Sequence, residues 1–324
     1  MEHKSRNHLY VDVENNSGLK PYDLDKLLHG IIFHRKLAVI SENTTPSLET
    51  RWSNENHQYE IKSAGSDKNA ADKGSVDMMR NELNTIDMNG EVVIGEGEMD
   101  EAPMLYIGEK VGKKNGQLLD IALDPLEGTN FVAKNLPNSF SMLAVCEKGN
   151  LFSAPDTYME KIAVGKNLPK NLLDLDYGVE KNIKLLSDAK KKKIDQITAC
   201  VLKRPRHEKI IKSLENLKVK IKFITDGDVS GAISVADPNT NIDIYLGIGG
   251  GPEGVLAAAA LSCLGGQIQT RLVLDDSEAK RAQKLGIKDV KKKYNIDDMV
   301  KGDVIFCASA ITNGDIVDGI KDLG

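Results

Sequence analysis

The stretch DIALDPLEGTN, residues 120–130, holds the most chemically pointed spacing in the chain. An apolar run ends in Asp124, Pro125 predicts a turn, and Glu127 comes three residues after the aspartate. Gly128 then permits a sharp backbone path ahead of the Thr129 hydroxyl. That order can aim two carboxylates and a hydroxyl at one point beyond a strand's C-terminal end. Magnesium and manganese favour such an all-oxygen surrounding. A bare D-P-x-E tetrapeptide is also an ordinary acidic turn, but the full string behind an apolar strand favours a divalent-metal site.

Other acids stand in comparable places. VVIGEGEMDEAPMLYIGEKVG (92–112) sets Glu96, Glu98, Asp100, Glu101 and Glu109 directly behind an apolar β-branched run. If they converge, something positively charged must sit among them. Glu96 follows a strand end through Gly95, and Asp72 lies in SDKNAADKGSVDMMR at the opening of the first regular helix. Glu253 lies in GIGGGPEGVLAAAAL, where three glycines let the backbone turn tightly and Pro252 suits a first helical position. Alone, GGGPEG is equally a helix cap or a phosphate-cradling loop. KRPRH (203–207) supplies two arginines, suited to bidentate phosphate contact, and is otherwise a basic surface turn. Asp226 and Asp228 in TDGD are helix-capping acids or acceptors for sugar hydroxyls, and Tyr158 is a packed aromatic or a ligand contact.

These groups need elements to position them. Val76, Met79, Leu83 and Ile86 repeat at helical spacing before a strand over 91–94. Further strands are predicted over 118–124, 141–147, 197–203, 219–225, 242–248 and 303–309. Helices are predicted near 206–217, 228–236, 252–264 and 277–285. The alternation points to a layered α/β fold with helices covering sheets. The first 62 residues are the least regular: 23–40 reads as helical, and a polar stretch without a period follows. His3, His8, His29, His34 and His57 fall there, on no metal-binding template. The lysine runs 190–193 and 291–293 read as solvated helix ends or loops.

Bulk properties narrow the function classes. The 324 residues allow one large α/β domain or two small ones, with ample core. A net charge of -5 argues against a general nucleic-acid binder. No apolar run reaches the roughly 18 residues of a membrane span, and MEHKSRNHLYVDVENN lacks a secretory signal's apolar centre. Cys146, Cys200, Cys263 and Cys307 lie far apart in apolar contexts, as buried reduced thiols of a cytoplasmic protein would.

The strings SDKNAAD, VVIGEGEMDEAPMLYIGEKVG, DPLEGTN, APDTYMEKIAVG, KRPRHEKII, DGDVSGAI and GIGGGPEGVLAAAAL resemble, in order, the class II fructose-1,6-bisphosphatases. The resemblance covers roughly residues 63–320. DPLEGT is also similar to the signature of the wider lithium-sensitive sugar and inositol phosphatases, which implies a layered α-β-α-β-α fold. By this resemblance Asp72 and Glu96 bind one metal, while Asp124, Glu127 and Glu253 bind a second, manganese or magnesium. Glu127, Gly128, Thr129 and Tyr158 would touch the substrate, and Arg204, Pro205 and Arg206 a phosphate. Asp226, Asp228 and Gly250 would hold the sugar, with Lys68 and Asp100 near the reacting phosphate.

The implied reaction is hydrolysis of the 1-phosphate of fructose 1,6-bisphosphate to fructose 6-phosphate and phosphate, in gluconeogenesis. Thr129 would position or deprotonate the water, relayed through Asp72 or Asp100. DGDVS lacks the DxDx(T/V) pattern of aspartyl-phosphate enzymes, so no covalent phosphoenzyme is expected. Sedoheptulose 1,7-bisphosphate, inositol monophosphate, or sugar-phosphate binding without turnover are the alternatives. Against the family pattern, residues 1–62 form an atypical N-terminal segment. The sugar-phosphatase domain, 63–324, stops short of the family's last strands, and Arg204 stands where lysine is common. The family also implies a homo-oligomer, a dimer or tetramer.

Overall fold

The computed structural model describes residues 8–11, 39–40, 62–63, 68–95, 105–134, 136–284 and 286–316. The chain forms two compact units, one of residues 1–151 and 302–324, the other of residues 152–301.

In the first unit the elements are β1 (His8–Val11), β2 (Val39–Ile40), β3 (Lys62–Ser63), α1 (Lys68–Leu83), β4 (Asn89–Ile94) and β5 (Lys110–Val111). They are followed by β6 (Leu118–Glu127), α2 (Thr129–Ala133) and β7 (Phe140–Glu147). The second unit contributes β8 (Tyr158–Val164), α3 (Gly178–Lys190), β9 (Thr198–Leu202), α4 (Glu208–Asn216), β10 (Lys220–Ile224) and α5 (Asp228–Ile233). It continues with β11 (Ile244–Gly250), α6 (Gly251–Leu264), β12 (Gln267–Val273), α7 (Asp276–Lys284), β13 (Lys293–Asn295) and α8 (Ile296–Met299). The chain then re-enters the first unit as β14 (Val304–Ala310).

The first unit's main sheet has the order β1-β14-β7-β6-β4-β5. β6 lies inside it, parallel to β4 and antiparallel to β7. Leu119, Ile121 and Leu123 of β6 pack with Val92, Val145 and Ile305, and with Val76 and Leu83 of α1. Ala122, on the opposite face, is buried as well, which explains why this strand reads as a nearly continuous apolar run. β1 adds to the sheet against β14, so part of the expected N-terminal segment contributes to the core unit's edge. The helix expected over 23–40 does not reach its end, because Val39 and Ile40 pair with Lys62 and Ser63; residues 23–38 lie outside the described residues.

The second unit's sheet has the order β10-β9-β11-β8-β12-β13. β10, β9 and β11 run parallel, and β8 runs antiparallel to β11, pairing Tyr158 with Gly250. The loops after β9, β10 and β11 and the start of β8 therefore share one edge of this sheet. Ligand sites of open α/β sheets form at such carboxyl ends. Sequence periodicity does not single out β8, β12 or α3. β8 is buried on both faces, and α3 mixes its apolar stripe of Val179, Ile183 and Leu186 with the buried polar Asn182 and Ser187.

The lysine runs are less solvated than their composition predicts. Lys190 and Lys192 donate to the buried Asp243 at 2.6 and 2.7 Å. Lys293 reaches Asp174 and Asp176, and Lys292 reaches Asp298.

Candidate active site

The first unit carries its acidic residues on β6 and α1. β6 does not stop at Asp124: pairing with β7 shifts register between Asp124 and Glu127 and resumes at Glu127 opposite Phe140. Pro125 has no N–H to give to the ladder, so the break falls around it and forms an irregularity within the strand, where a terminating turn was expected. The Asp124 carboxylate accepts the Leu126 N–H at 3.0 Å, which fixes its direction. Glu127 is buried, and its carbonyl accepts the Ser139 hydroxyl at 2.9 Å. Gly128 adopts φ 78°, the left-handed conformation that starts α2.

Thr129 then opens α2, and its hydroxyl donates to the Leu126 carbonyl at 3.2 Å. With its proton so engaged, Thr129 Oγ1 keeps lone pairs with which it can accept a hydrogen bond from water. Asp72 is brought to the same neighbourhood by packing: its neighbour Ala71 clusters with Leu126, Val132 and Ile311. Burial raises the Asp72 carboxyl above its ordinary pKa. Lys68 begins α1. Glu96 and Asp100 lie outside the described residues, as do Glu98 and Glu101. Glu109, the fifth acid of that run, forms a two-point ion pair with Arg80, with Nε 2.6 Å from Oε1 and Nη2 3.0 Å from Oε2. Its role is to tie β5's approach to α1.

In the second unit, topology gathers Tyr158, Arg204, Pro205, Arg206, Asp226, Asp228, Gly250 and Glu253 along the one sheet edge. The Arg206 guanidinium lies over the Tyr158 ring, 4.8 Å from its centroid, and both residues are exposed. Arg204 approaches Asp226 at 3.8 Å. Asp228 is buried and takes both the Lys161 ammonium and the Tyr245 hydroxyl, one on each carboxylate oxygen.

Gly249 and Gly250 leave space that two carboxylates fill. A Cβ on Gly249 would overlap the Asp228 carboxylate, and one on Gly250 would overlap that of Glu253. The side chain of Glu253 thus folds back over the backbone of its own helix start. Its Oε2 is buried and has no hydrogen-bond partner. Burial raises the Glu253 carboxyl above its usual range; Lys161 opposes the rise and Asp228 adds to it.

Three residues of this edge escape sequence reasoning: Lys161, Tyr245 and His207. Lys161 lies on β8 between Met159 and Ala163 on one strand face and is 1% exposed. Its signal was a lysine at an inward position of an apolar strand, which demands a buried acid partner. His207 is fully buried at the end of KRPRH.

In each unit the donor chemistry fits a hard divalent cation. Asp72, Asp124 and Glu127 of the first offer only oxygen; in the second, the buried Glu253 oxygen without a hydrogen-bond donor is one that a metal ion would stabilise. Among the described residues, no three His, Cys, Asp or Glu side chains are gathered into a cation cluster. All four cysteines are thiols, and no described helix is long and apolar enough to cross a membrane.

Comparison with known proteins agrees with these strings. A family model of bacterial, glpX-encoded fructose-1,6-bisphosphatases matches residues 60–324. The class 2 fructose-1,6-bisphosphatase of Haemophilus influenzae is 43% identical over 273 residues, 80% of this chain and 81% of that protein. A D-fructose 1,6-bisphosphatase class 2/sedoheptulose 1,7-bisphosphatase of Synechocystis is 41% identical over 281 residues, 79% of this chain and 81% of the relative. A solved hypothetical protein of Pyrococcus horikoshii, described as similar to inositol-1 monophosphatase, aligns at a TM-score of 0.31 and 12% identity, covering 89% of this chain and 90% of that one, a likeness too slight to inform the fold. With the match extending from residue 60 through both units, the chain belongs to the bacterial glpX-encoded, class 2 fructose-1,6-bisphosphatase family.

Proposed function

We propose that this protein hydrolyses the 1-phosphate of fructose 1,6-bisphosphate, releasing fructose 6-phosphate and phosphate, as a gluconeogenic enzyme of the cytoplasm. The observation that carries the reading is family membership across residues 60–324. In this reading residues 63–324 are the sugar-phosphatase domain and residues 1–62 an atypical N-terminal segment, in a homo-oligomeric enzyme.

By the family resemblance, Asp72 and Glu96 would hold one divalent ion, and Asp124, Glu127 and Glu253 another, manganese or magnesium. When bound, such ions neutralise the carboxylates and polarise phosphoryl oxygens. The chain's own groups do the rest. Thr129 Oγ1, its proton committed to the Leu126 carbonyl, accepts a hydrogen bond from the attacking water and so directs it. Asp72 or Asp100 would relay the proton that the water loses, with Lys68 near the reacting phosphate. Arg204 and Arg206 hold the phosphate that does not react. Tyr158 supplies the surface on which the Arg206 guanidinium rests. Asp226 and the backbone at Gly250 take sugar hydroxyls. Asp228, already engaged by Lys161 and Tyr245, shapes the floor beneath them.

A second reading has support of its own: the Synechocystis relative bears both bisphosphatase names. Sedoheptulose 1,7-bisphosphate is therefore the first alternative substrate to test. The deciding experiment is phosphate release from each bisphosphate and from inositol monophosphate, with and without manganese. Release from fructose 1,6-bisphosphate only when manganese is present is the expected result. Binding of the sugar phosphate without release would overturn the catalytic assignment.

A further inference from the structure

KRPRH ends in a residue that the reaction does not use. His207 is fully buried, and its ring spans two strand ends. Nδ1 lies 2.6 Å from the Leu202 carbonyl at the end of β9. A carbonyl only accepts, so Nδ1 carries the ring proton. Nε2 is then the acceptor: the Ile248 N–H donates to it at 2.8 Å, and the carbonyl of the same residue lies farther off, at 3.2 Å. The preceding residue takes the other half of the same peptide position: Arg206 Nε donates to the Ile248 carbonyl at 2.8 Å. Adjacent residues of one loop thus clip both backbone polar groups of Ile248, directly ahead of Gly249–Gly251.

This clip has a geometric consequence for Arg206. Its side chain is exposed and long, and an unrestrained arginine samples many rotamers. One N–H is spent on Ile248, and the guanidinium is laid on the Tyr158 ring. Its terminal N–H groups remain for a ligand, in a plane set by the position of the Ile248 carbonyl. That position depends in turn on what holds Ile248: pairing with Glu160 of β8 on one side, and the buried His207 ring on the other.

We propose that His207 is a positioning residue for phosphate recognition. Its ring holds the Ile248 backbone so that the Arg206 guanidinium is aimed at the phosphate that is not hydrolysed. The inference rests on the functional reading above for the identity of the ligand, but the clip itself does not.

The test is a kinetic and binding cycle in the full-length enzyme. Arg206→Ala should raise KM for fructose 1,6-bisphosphate and the Kd for fructose 6-phosphate by about ten- to hundredfold, the range of one charge-assisted contact. His207→Leu should raise both by roughly five- to thirtyfold, with kcat changed less than about threefold, since the contact is shared by ground and transition states. His207→Gln keeps an acceptor and a donor and should recover most of the loss. The double variant His207→Leu/Arg206→Ala should be no worse than Arg206→Ala alone, because one residue acts through the other. Multiplying effects in the double variant, or an unchanged KM in a folded His207→Leu protein of lower stability, would reduce His207 to a packing group.

A second measurement covers the other failures. The Arg206 Nε–H resonance should exchange slowly with solvent in the wild type and rapidly in His207→Leu. If the wild type neither binds fructose 6-phosphate nor releases phosphate, the functional reading fails while this resonance still decides the clip. If His207→Leu does not fold, His207→Asn, which is too short to span both strand ends, takes its place in both measurements. Slow exchange persisting in the substituted protein would overturn the proposal.

Discussion

The two units present carboxylates in opposite ways. On β6 the acids are aimed by backbone geometry: Asp124 is tied to the Leu126 N–H, and Glu127 follows an interruption at Pro125. On the second unit's sheet edge the acids are aimed by charge and by missing side chains. Asp228 is matched by the buried Lys161, Glu253 keeps an oxygen without a partner, and Gly249 and Gly250 leave the space both carboxylates fill. The first arrangement is stabilising locally. In the second, Asp228 is paired, but the charged form of Glu253 is disfavoured until a cation pairs with it.

That contrast can be broken by exchanging the acids for neutral groups. Asp124→Ala and Glu253→Gln should both abolish phosphate release, the largest effect expected, because each removes a proposed metal ligand. Their effects on the metal-free fold should have opposite signs. Asp124→Ala loses a hydrogen bond and should cost about 0.5–1.5 kcal/mol. Glu253→Gln replaces a carboxylate whose surroundings favour its neutral form, so metal-free stability should rise. Urea unfolding in chelator would show this, and two losses of equal size would remove the distinction between the units.

Thr129 sharpens the first half of the comparison. Thr129→Ala deletes the hydroxyl but none of the carboxylates, so manganese should still bind while single-turnover hydrolysis slows by about 10²–10⁴-fold. Thr129→Ser keeps the same acceptor on the same helix start and should retain much of the rate. Identical behaviour of the alanine and serine variants, or loss of manganese binding in the alanine variant by calorimetry, would remove Thr129 from the reaction.

Lys161 sharpens the second half. Lys161→Met leaves Asp228 as a buried charge with only the Tyr245 hydroxyl, and breaking such a pair costs about 3–5 kcal/mol. The double variant Lys161→Met/Asp228→Asn has no orphaned charge and should recover a large part of that stability. Equal urea midpoints for the single and double variants would mean that the pair is not what holds this edge.

What could be read in the sequence follows from the same difference. DPLEGTN announces itself because proline, glycine and acids at fixed offsets are local signals, but Asp124 and Glu127 both lie within β6, not at and beyond its end. The strand was longer than expected because β7 resumes pairing beyond Pro125, a tertiary fact no local pattern carries. GGGPEG was legible as a tight turn into a helix, but its reason was not: the space left by Gly249 and Gly250 is filled by side chains, one of them from twenty-one residues earlier in sequence. Lys161, Tyr245 and His207 were missed for a related cause. Each is an inward-facing polar group whose partner is supplied by another strand or loop, so its meaning exists only once β8, β9 and β11 are side by side. Glu109 shows the reverse error, an acid grouped by proximity with its neighbours but claimed by Arg80.

The smallest effect concerns a buried acid away from both sets. Asp243 accepts the ammonium groups of Lys190 and Lys192 and the Thr198 N–H, which joins the end of α3 to the start of β9. Burial works to raise its carboxyl, but the two lysines and the backbone N–H outweigh it and hold the pKa below the ordinary value. A carboxylate depressed in the folded state stabilises above its unfolded pKa, near 3.9 for aspartate, and loses that contribution as pH falls through the folded value. Asp243→Asn should therefore cost roughly 1–3 kcal/mol at pH 7, by loss of charge-assisted hydrogen bonds. It should also flatten the fall in stability as the medium is acidified below about pH 4. Urea midpoints measured from neutral pH down to pH 3 would check both parts. A variant that loses stability at neutral pH yet keeps the wild-type acid slope would show that the depressed carboxyl belongs to another group, because removing the titrating oxygen must remove its share of the slope.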